Sequence, residues 1–457
     1  MNRPSPTALP HIGIVGGGPG GLFTAYHVQK YVNRPVRITI IEASDRVGGK
    51  IHTPRFKSAN VTYEAGAAEI YDYSGFDEDP LKELVAELGL STTRMEGSAV
   101  VIDQRLVANV DDVRRHFGAR CAEALLEFDR RAEGHQSPRE FYLSDHAAAA
   151  DAGMMRAGFQ PFVDAIADPA ARRYVQTMIH SDLATEPART NLEYGLQNYL
   201  MNNPRYMRLY SIEGGNERIP QALADRFGGR VLLRHRAAAV GRADDGAMWA
   251  DVEHDGAVRR ETFDRLVLAM PNVALPGVRY EGEQLAAAID RHLARYDHPA
   301  HYLRITILFD RPFWRGTFPD SYCMLDRFGG CCLYDESLRN PGCAHGVLGW
   351  LIAGENALEM SAWDDARLIE AALDSLPDFV PGGREHFVEG VVRRWVSAIN
   401  AMPGGRAPVS LDRRHIPEPE RHPNLFLVGD YLFDATLNGV LDSAEYVAGR
   451  IAAGLNQ

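Results

Sequence analysis

The sequence predicts an α/β protein in which a parallel-sheet nucleotide-binding domain is interleaved with a second domain of mixed β-sheet and helical cap. Three observations carry that expectation: a strand–glycine loop–helix–strand unit near residue 11, a long helical middle, and buried-strand patterns that return after it. At 457 residues the chain exceeds what one hydrophobic core usually serves, so two domains follow. Its 45% hydrophobic and 24% charged residues are those of an ordinary globular protein.

His11 to Val15 is a short apolar strand pattern that runs into a glycine cluster, and Leu22 to Val32 reads as a helix. Val36 to Glu42 is a second strand, closer to a continuous apolar run than to alternation, as an interior parallel strand should be. From Asp79 to about Tyr199 the pattern turns helical, with Leu81–Leu88 at helical spacing. Strand signals return at Arg230–Leu233, Ala247–His254 and Leu266–Ala269, and Tyr302–Phe309 and Gly346–Ile352 look like strands of a second sheet. Asn424–Val428 is a last buried strand before a helix from about Asn438 to Ala453. The nucleotide-binding domain is therefore expected from residues 1–78, 205–285 and 390–457, and the second domain from 79–204 and 286–389.

The loop Gly16-Gly17-Gly18-Pro19-Gly20-Gly21 satisfies GxGxxG between a strand and a helix. Gly16 permits the tight turn, Gly18 lets the backbone approach a pyrophosphate, and Gly21 allows close helix–strand packing. Pro19 and Gly20 open a helix whose unpaired N–H groups suit phosphate. Glu42, closing the second strand, sits where a ribose would need an acceptor. The following run, Glu42-Ala43-Ser44-Asp45-Arg46-Val47-Gly48-Gly49-Lys50, places two glycines beside a cation, an arrangement that suits a diphosphate.

That run resembles the second glycine motif of the flavin-containing amine oxidase superfamily, which includes monoamine, polyamine and L-amino-acid oxidases, with Lys50 at a position usually arginine. The resemblance extends from His11 to Ile451. It implies a Rossmann-type FAD-binding domain interleaved with a substrate domain, with FAD held non-covalently. Tyr63-Glu64-Ala65-Gly66-Ala67-Ala68-Glu69 is similar to the segment beside the isoalloxazine ring. Arg230–Val240 resembles the strand whose backbone, near Ala237, meets the adenine, and Leu266–Pro271 matches an apolar strand ending Ala-x-Pro, here with Ala269. Leu425–Asp430 and Asn438-Gly439-Val440-Leu441 resemble the C-terminal motif. There Gly429 and Asp430 lie near the ribityl phosphate, and a helix N-terminus, with Gly439, Val440 and Leu441, faces the pyrimidine end.

Four residues are the candidates for chemistry. Arg304 stands where the family has an active-site lysine, and no lysine follows Lys82. It either anchors a carbonyl, carboxylate or water, or is a salt-bridged strand residue. Glu69 occupies the place of the arginine that grips a substrate carboxylate in L-amino-acid oxidases; it either suits an ammonium there or is an ordinary capping or paired residue. Glu64 either fixes its loop or takes a proton near the substrate. Trp395, in Arg394–Pro403, is either one aromatic of an incomplete cage, whose second position is Thr436, or a core residue.

The resemblance implies an FAD-dependent oxidase taking a hydride from a carbon bearing an amine or amide nitrogen, with an imine and, through oxygen, peroxide as products. A branch of bacterial natural-product amine and amide oxidases, such as the lankacidin-pathway enzyme, is similar over Gly16–Ala25 and Tyr63–Tyr73. The alternatives are an FAD-dependent C–C desaturase, a non-redox flavin isomerase, and a flavoprotein scaffold.

The expected partners are a small amine or N-acyl amine, molecular oxygen and a second copy of the chain in a homodimer. A net charge of −12 gives no support to nucleic-acid binding. Five cysteines without a CxxC pair point away from a metal site or disulfide framework and toward the cytoplasm. No run of 18 apolar residues occurs, so no membrane span is expected.

Overall fold

The computed structural model describes residues 9–456 except 76–77, 98, 145–156, 319, 401–408 and 434. Two compact units emerge. The first gathers 1–51, 217–297 and 409–457, the second 52–216 and 298–408. Against the expected bounds, 52–78, 205–216 and 390–408 cluster with the second unit and 286–297 with the first.

In the first unit, Leu425–Leu427, Arg265–Leu268, His11–Val15, Arg37–Ile41 and Arg230–Leu232 form, in that order, a five-stranded parallel sheet. Ile12, Ile14, Ile40, Leu266 and Leu268 are buried in it, which explains the unbroken apolar runs. The helix Pro19–Tyr31 packs on the long helix Leu437–Leu455. A second sheet pairs Ala257–Phe263, Met248–His254, Arg236–Arg242 and Arg279–Tyr280. The expected strand Arg230–Val240 is thus two strands. The break falls at Arg234, whose φ is +60° and whose N–H is drawn to the Ser44 carbonyl at 2.7 Å.

The second unit is built on a seven-stranded sheet ordered Phe387–Asn400, Pro299–Phe309, Gly346–Ala353, Cys331–Asp335, Tyr322–Leu325, Val100–Ile102 and Arg105–Val107. Strand alternation divides its residues cleanly. Leu303, Ile305, Ile307 and Phe309 join Cys331, Leu333, Leu348, Trp350 and Ile352 in one core. That core is closed by Ala357 and Met360 of one helix and Leu368, Ala372 and Leu373 of the next. The even-numbered residues Tyr302, Arg304 and Thr306 point the other way, with Cys332, Tyr334, Tyr322 and Met324 beside them through the strand register. The stretch expected to be helical from Asp79 to Tyr199 carries helices at Pro80–Glu87, Val110–Phe117, Ala119–His135, Pro169–Leu183 and Leu192–Leu200. It also contains the short strands Thr92–Met95, Val100–Ile102 and Arg105–Val107, which are too brief to show periodicity; the first two find partners far along the chain, and the third pairs with the second as a hairpin.

Candidate functional site

In the first unit the glycine loop forms a phosphate cradle. A Cβ on Gly16, where φ is +111°, would stand 2.2 Å from the Ala269 carbonyl oxygen, and one on Gly21 would stand 1.9 Å from the Gly16 carbonyl oxygen. Only glycine permits either approach. Gly18 caps the helix that Pro19 and Gly20 begin, and no side chain answers that helix's N-terminal amides. Glu42 accepts from Gly17 N–H at 2.7 Å and from Ser44 N–H at 2.8 Å, so it braces the loop and orients its own carboxylate. Ala43 and Gly49 are exposed, and the Gly49 Cα stands 3.7 Å from where a Gly18 Cβ would be. These features fit a dinucleotide, which Gly16, Gly18, Glu42 and the helix N-terminus could hold.

The remaining first-unit candidates cluster around Asp430. Lys50 Nζ donates to Asp430 Oδ2 at 2.6 Å, so the two expected cofactor contacts neutralise one another. Gly429 N–H donates to Ser443 Oγ at 3.1 Å, which seats the turn that carries Asp430. Gly439 N–H donates to Thr436 Oγ1 at 3.1 Å, so the residue at the expected second cage position is a helix cap instead. Val440 and Leu441 occupy the first turn of that helix, and Ala237 is buried in its strand opposite Val252.

In the second unit the residues expected to do chemistry lie on or against the even-numbered face of the seven-stranded sheet. Arg304, only 1% exposed, is ion-paired through Nη2 with Glu336 and lies 5.2 Å from the Tyr334 ring centroid. Gly349 makes room for the pair, since a Cβ there would be 2.5 Å from Glu336 Oε1. Arg304 is thus a salt-bridged strand residue, yet its Nε and Nη1 are buried without a hydrogen-bond partner. Glu69 is half-buried with Oε2 likewise unanswered. Burial, set against a hydrogen bond from Tyr334 and the Arg304 charge, raises its carboxyl above the ordinary range.

Glu64 has a fixing role in the fold. Its carboxylate accepts from Asn216 N–H at 2.8 Å and Thr53 Oγ1 at 2.9 Å, and stands 3.5 Å from Arg339 Nη1. Its own N–H donates to Glu336 Oε2 at 2.8 Å. Burial still pushes the carboxyl up to about 7, against the pull of Arg339. Around it the carbonyl of Ala67 accepts from Asn216 Nδ2 at 2.9 Å and that of Ala68 from Arg339 Nη2, which shapes the Gly66–Ala68 segment. Trp395, in register with Tyr302, donates from Nε1 to the Ala65 carbonyl at 2.7 Å. The Ala401–Pro403 part of its motif lies outside the described residues.

Three members of this face were not singled out by the sequence. Glu336 and Arg339 belong to the single-turn helix Glu336–Arg339 and are both buried, although Leu338 between them is exposed. Asp182, near the end of the helix Pro169–Leu183, accepts from Asn202 Nδ2 at 3.0 Å. Burial raises it to about 7, with the Glu69 charge adding to the effect and the Asn202 hydrogen bond opposing it. The one available signal was Tyr302-x-Arg304-x-Thr306, polar side chains at alternate positions of an otherwise apolar strand.

A dinucleotide cradle in one unit and a polar, carboxyl-rich sheet face in the other define a cofactor-dependent oxidoreductase. The family model for flavin containing amine oxidoreductase matches residues 19–452, and the chain belongs to that family. FAD is its cofactor and general amine-oxidase chemistry its activity. The chain is 24% identical to the flavin-dependent L-tryptophan oxidase RebO of Lentzea aerocolonigenes, over 97% of this chain and 98% of that protein. It is 24% identical to the flavin-containing amine oxidase A of Canis lupus familiaris over 53% of this chain and 46% of that one. The fold matches cyclohexylamine oxidase from Brevibacterium oxydans IH-35A with a TM-score of 0.75 at 18% identity, covering 98% of this chain and 100% of that chain. It matches putrescine oxidase bound to putrescine with a TM-score of 0.70 at 19% identity, covering 98% and 100%. Among the described residues no helix is long and apolar enough to cross a membrane, and no cluster of metal-ligating side chains occurs.

Proposed function

We propose that the protein oxidises a carbon bearing an amine or amide nitrogen to the imine, with oxygen as the final acceptor and peroxide as the second product. FAD, when bound, supplies the redox chemistry by accepting the hydride equivalent. In this reading the first unit holds the dinucleotide and the second the substrate. The observation that carries the substrate assignment is the pair of side chains with unanswered atoms on the polar sheet face: Arg304, with the donor nitrogens Nε and Nη1, and Glu69, with the acceptor Oε2. Buried polar atoms are rarely left without partners, and an orphaned donor beside an orphaned acceptor fits a small ligand with nitrogen and oxygen atoms. Arg304 and Glu69 then orient the substrate, Glu64 fixes the Gly66–Ala68 segment, and Trp395 walls the site through its tie to Ala65.

An apolar olefin would leave those groups unpaired, which disfavours the desaturase reading. The full-length likeness to an L-tryptophan oxidase is in keeping with a nitrogen substrate, and the bacterial natural-product branch is the finer assignment.

The test is anaerobic mixing of the FAD-loaded protein with primary amines, N-acyl amines, amino acids and polyenes, followed by air. Bleaching of the flavin by a nitrogen compound, with peroxide on reoxidation, is expected. Bleaching by a polyene alone, or by nothing, overturns the reading. Arg304→Met is expected to lower turnover about ten- to hundredfold, the scale of one lost charge-assisted hydrogen bond; unchanged kinetics would remove Arg304 from the site.

A further inference from the structure

The carboxyl groups on the polar face outnumber the cations. Glu64, Glu69, Asp182 and Glu336 converge there, against Arg304 and Arg339. Glu336 is answered by Arg304 and Glu64 by Arg339. Arg393, in register with Arg304 on the neighbouring strand, is exposed and acts on Tyr63. Glu69 and Asp182 remain without a guanidinium hydrogen bond among the described residues.

Both are half-buried, and the charges of both act on Tyr302 and Tyr322. Tyr302 OH donates to the Ser181 carbonyl at 2.8 Å, and Ser181 Oγ reaches Met324 Sδ at 3.5 Å, which fixes the end of the helix carrying Asp182 over this face. An acidic, aromatic surface attracts an organic cation. A second and independent observation qualifies the ligand: Arg304, buried at 1% exposure, keeps two donor nitrogens, Nε and Nη1, without a hydrogen-bond partner, and its charge acts on Glu69. The ligand therefore carries an acceptor oxygen as well as a cationic nitrogen. That oxygen is a neutral one. The Arg304 charge is already answered by Glu336, so a substrate carboxylate would meet two further carboxyls with no free cation to balance it.

We propose that this face binds an amine bearing a neighbouring neutral carbonyl, as in an amide or ester of an amino acid. Glu69 and Asp182 take the ammonium, and Arg304 takes the carbonyl oxygen. Asp182 is thereby a specificity-determining residue. The assignment rests on the amine-oxidation reading for its catalytic meaning, but binding tests it separately.

The probes are 2-aminoisobutyramide, 2-aminoisobutyrate and tert-butylammonium, none of which has a hydrogen on the carbon bearing nitrogen, so none can be oxidised. Calorimetric titration of the FAD-loaded protein is expected to rank the amide about tenfold or more ahead of both others, the increment of one good polar contact. Asp182→Asn is expected to weaken the amide and tert-butylammonium alike, and Arg304→Met to erase the amide's advantage over tert-butylammonium. Should Arg304→Met fail to fold with Glu336 unpaired, the double variant Arg304→Met/Glu336→Gln replaces it. Amino acid and amide binding equally well, no binding by any probe, or Asp182→Asn leaving all three unchanged would each overturn the proposal. Flavin bleaching by simple amines with a failed ranking would leave amine oxidation standing and remove only this substrate class.

Discussion

At the scale of single residues, the buried carboxyls set the balance between stability and recognition. Asp182 is raised from an ordinary aspartate value to about 7 by burial, so the folded chain holds a proton there that the unfolded chain has lost. Stability from that group is therefore present at low pH and declines as pH rises toward 7. Urea unfolding of the wild type is expected to show this decline between pH 5 and 7, and Asp182→Asn to lessen it by the Asp182 share while Glu64 supplies the rest; parallel profiles would refute the assignment. Glu64 is likewise raised by burial to about 7, but it is also the acceptor for Asn216 and Thr53 and the counter-ion of Arg339. Glu64→Ala would strand a buried guanidinium and is expected to cost about 3–5 kcal/mol in the same assay, with Glu64→Gln costing less.

At the scale of elements, the helix Pro169–Leu183 is held by His180. Its Nδ1 faces the Gly330 carbonyl at 3.1 Å and its Nε2 faces Glu186 Oε1 at 3.0 Å. Two acceptors require two ring protons, so the imidazolium is the state that satisfies both. Burial lowers the pKa of this ring, but the hydrogen bond and charge of Glu186 outweigh it, and the net shift is upward. The clamp is complete below the unfolded value of 6.5 and is lost as pH rises through the folded value. His180→Gln is expected to remove the alkaline part of the stability loss above that pH and to leave any acidic part in place. How much of the architecture was legible also divides by element. The parallel strands were plain because buried runs such as Ile38–Ile41 need no partner to declare themselves. Thr92–Met95 and Val100–Ile102 were hidden because their strand character comes from neighbours over a hundred residues away. The cofactor loop was readable from glycines at fixed spacing. The polar sheet face was only half readable: Arg304, Glu64, Glu69 and Trp395 were singled out, whereas Asp182, Glu336 and Arg339 acquire their roles only through burial.

At the scale of the whole molecule, the first unit is assembled from three separate stretches of chain and the second from two. The dinucleotide cradle draws on two of the first unit's three stretches, since Gly16 abuts the Ala269 carbonyl. Loading FAD is thus expected to stabilise the folded chain by mass action, about 2.7 kcal/mol at a hundredfold excess over the dissociation constant. Thermal unfolding of FAD-stripped and FAD-loaded protein measures this, and a midpoint indifferent to FAD would show that the cradle is not where it binds.

The strand Pro299–Phe309 has a further consequence, for how such a protein can change over evolutionary time. From 302 to 307 its odd positions are committed to the core and its even positions to the polar face, whereas Leu308 belongs to a separate apolar cluster. Two-residue periodicity separates these obligations within one stretch of eleven residues. Drift at 302, 304 and 306 can retune what is recognised while 303, 305 and 307 keep the protein folded. The same periodicity forbids deletions: losing one residue exchanges the two sets at a stroke, placing an arginine in oil and an isoleucine against the ligand. New specificities in this lineage should therefore arise by substitution at every second position and almost never by a change of strand length.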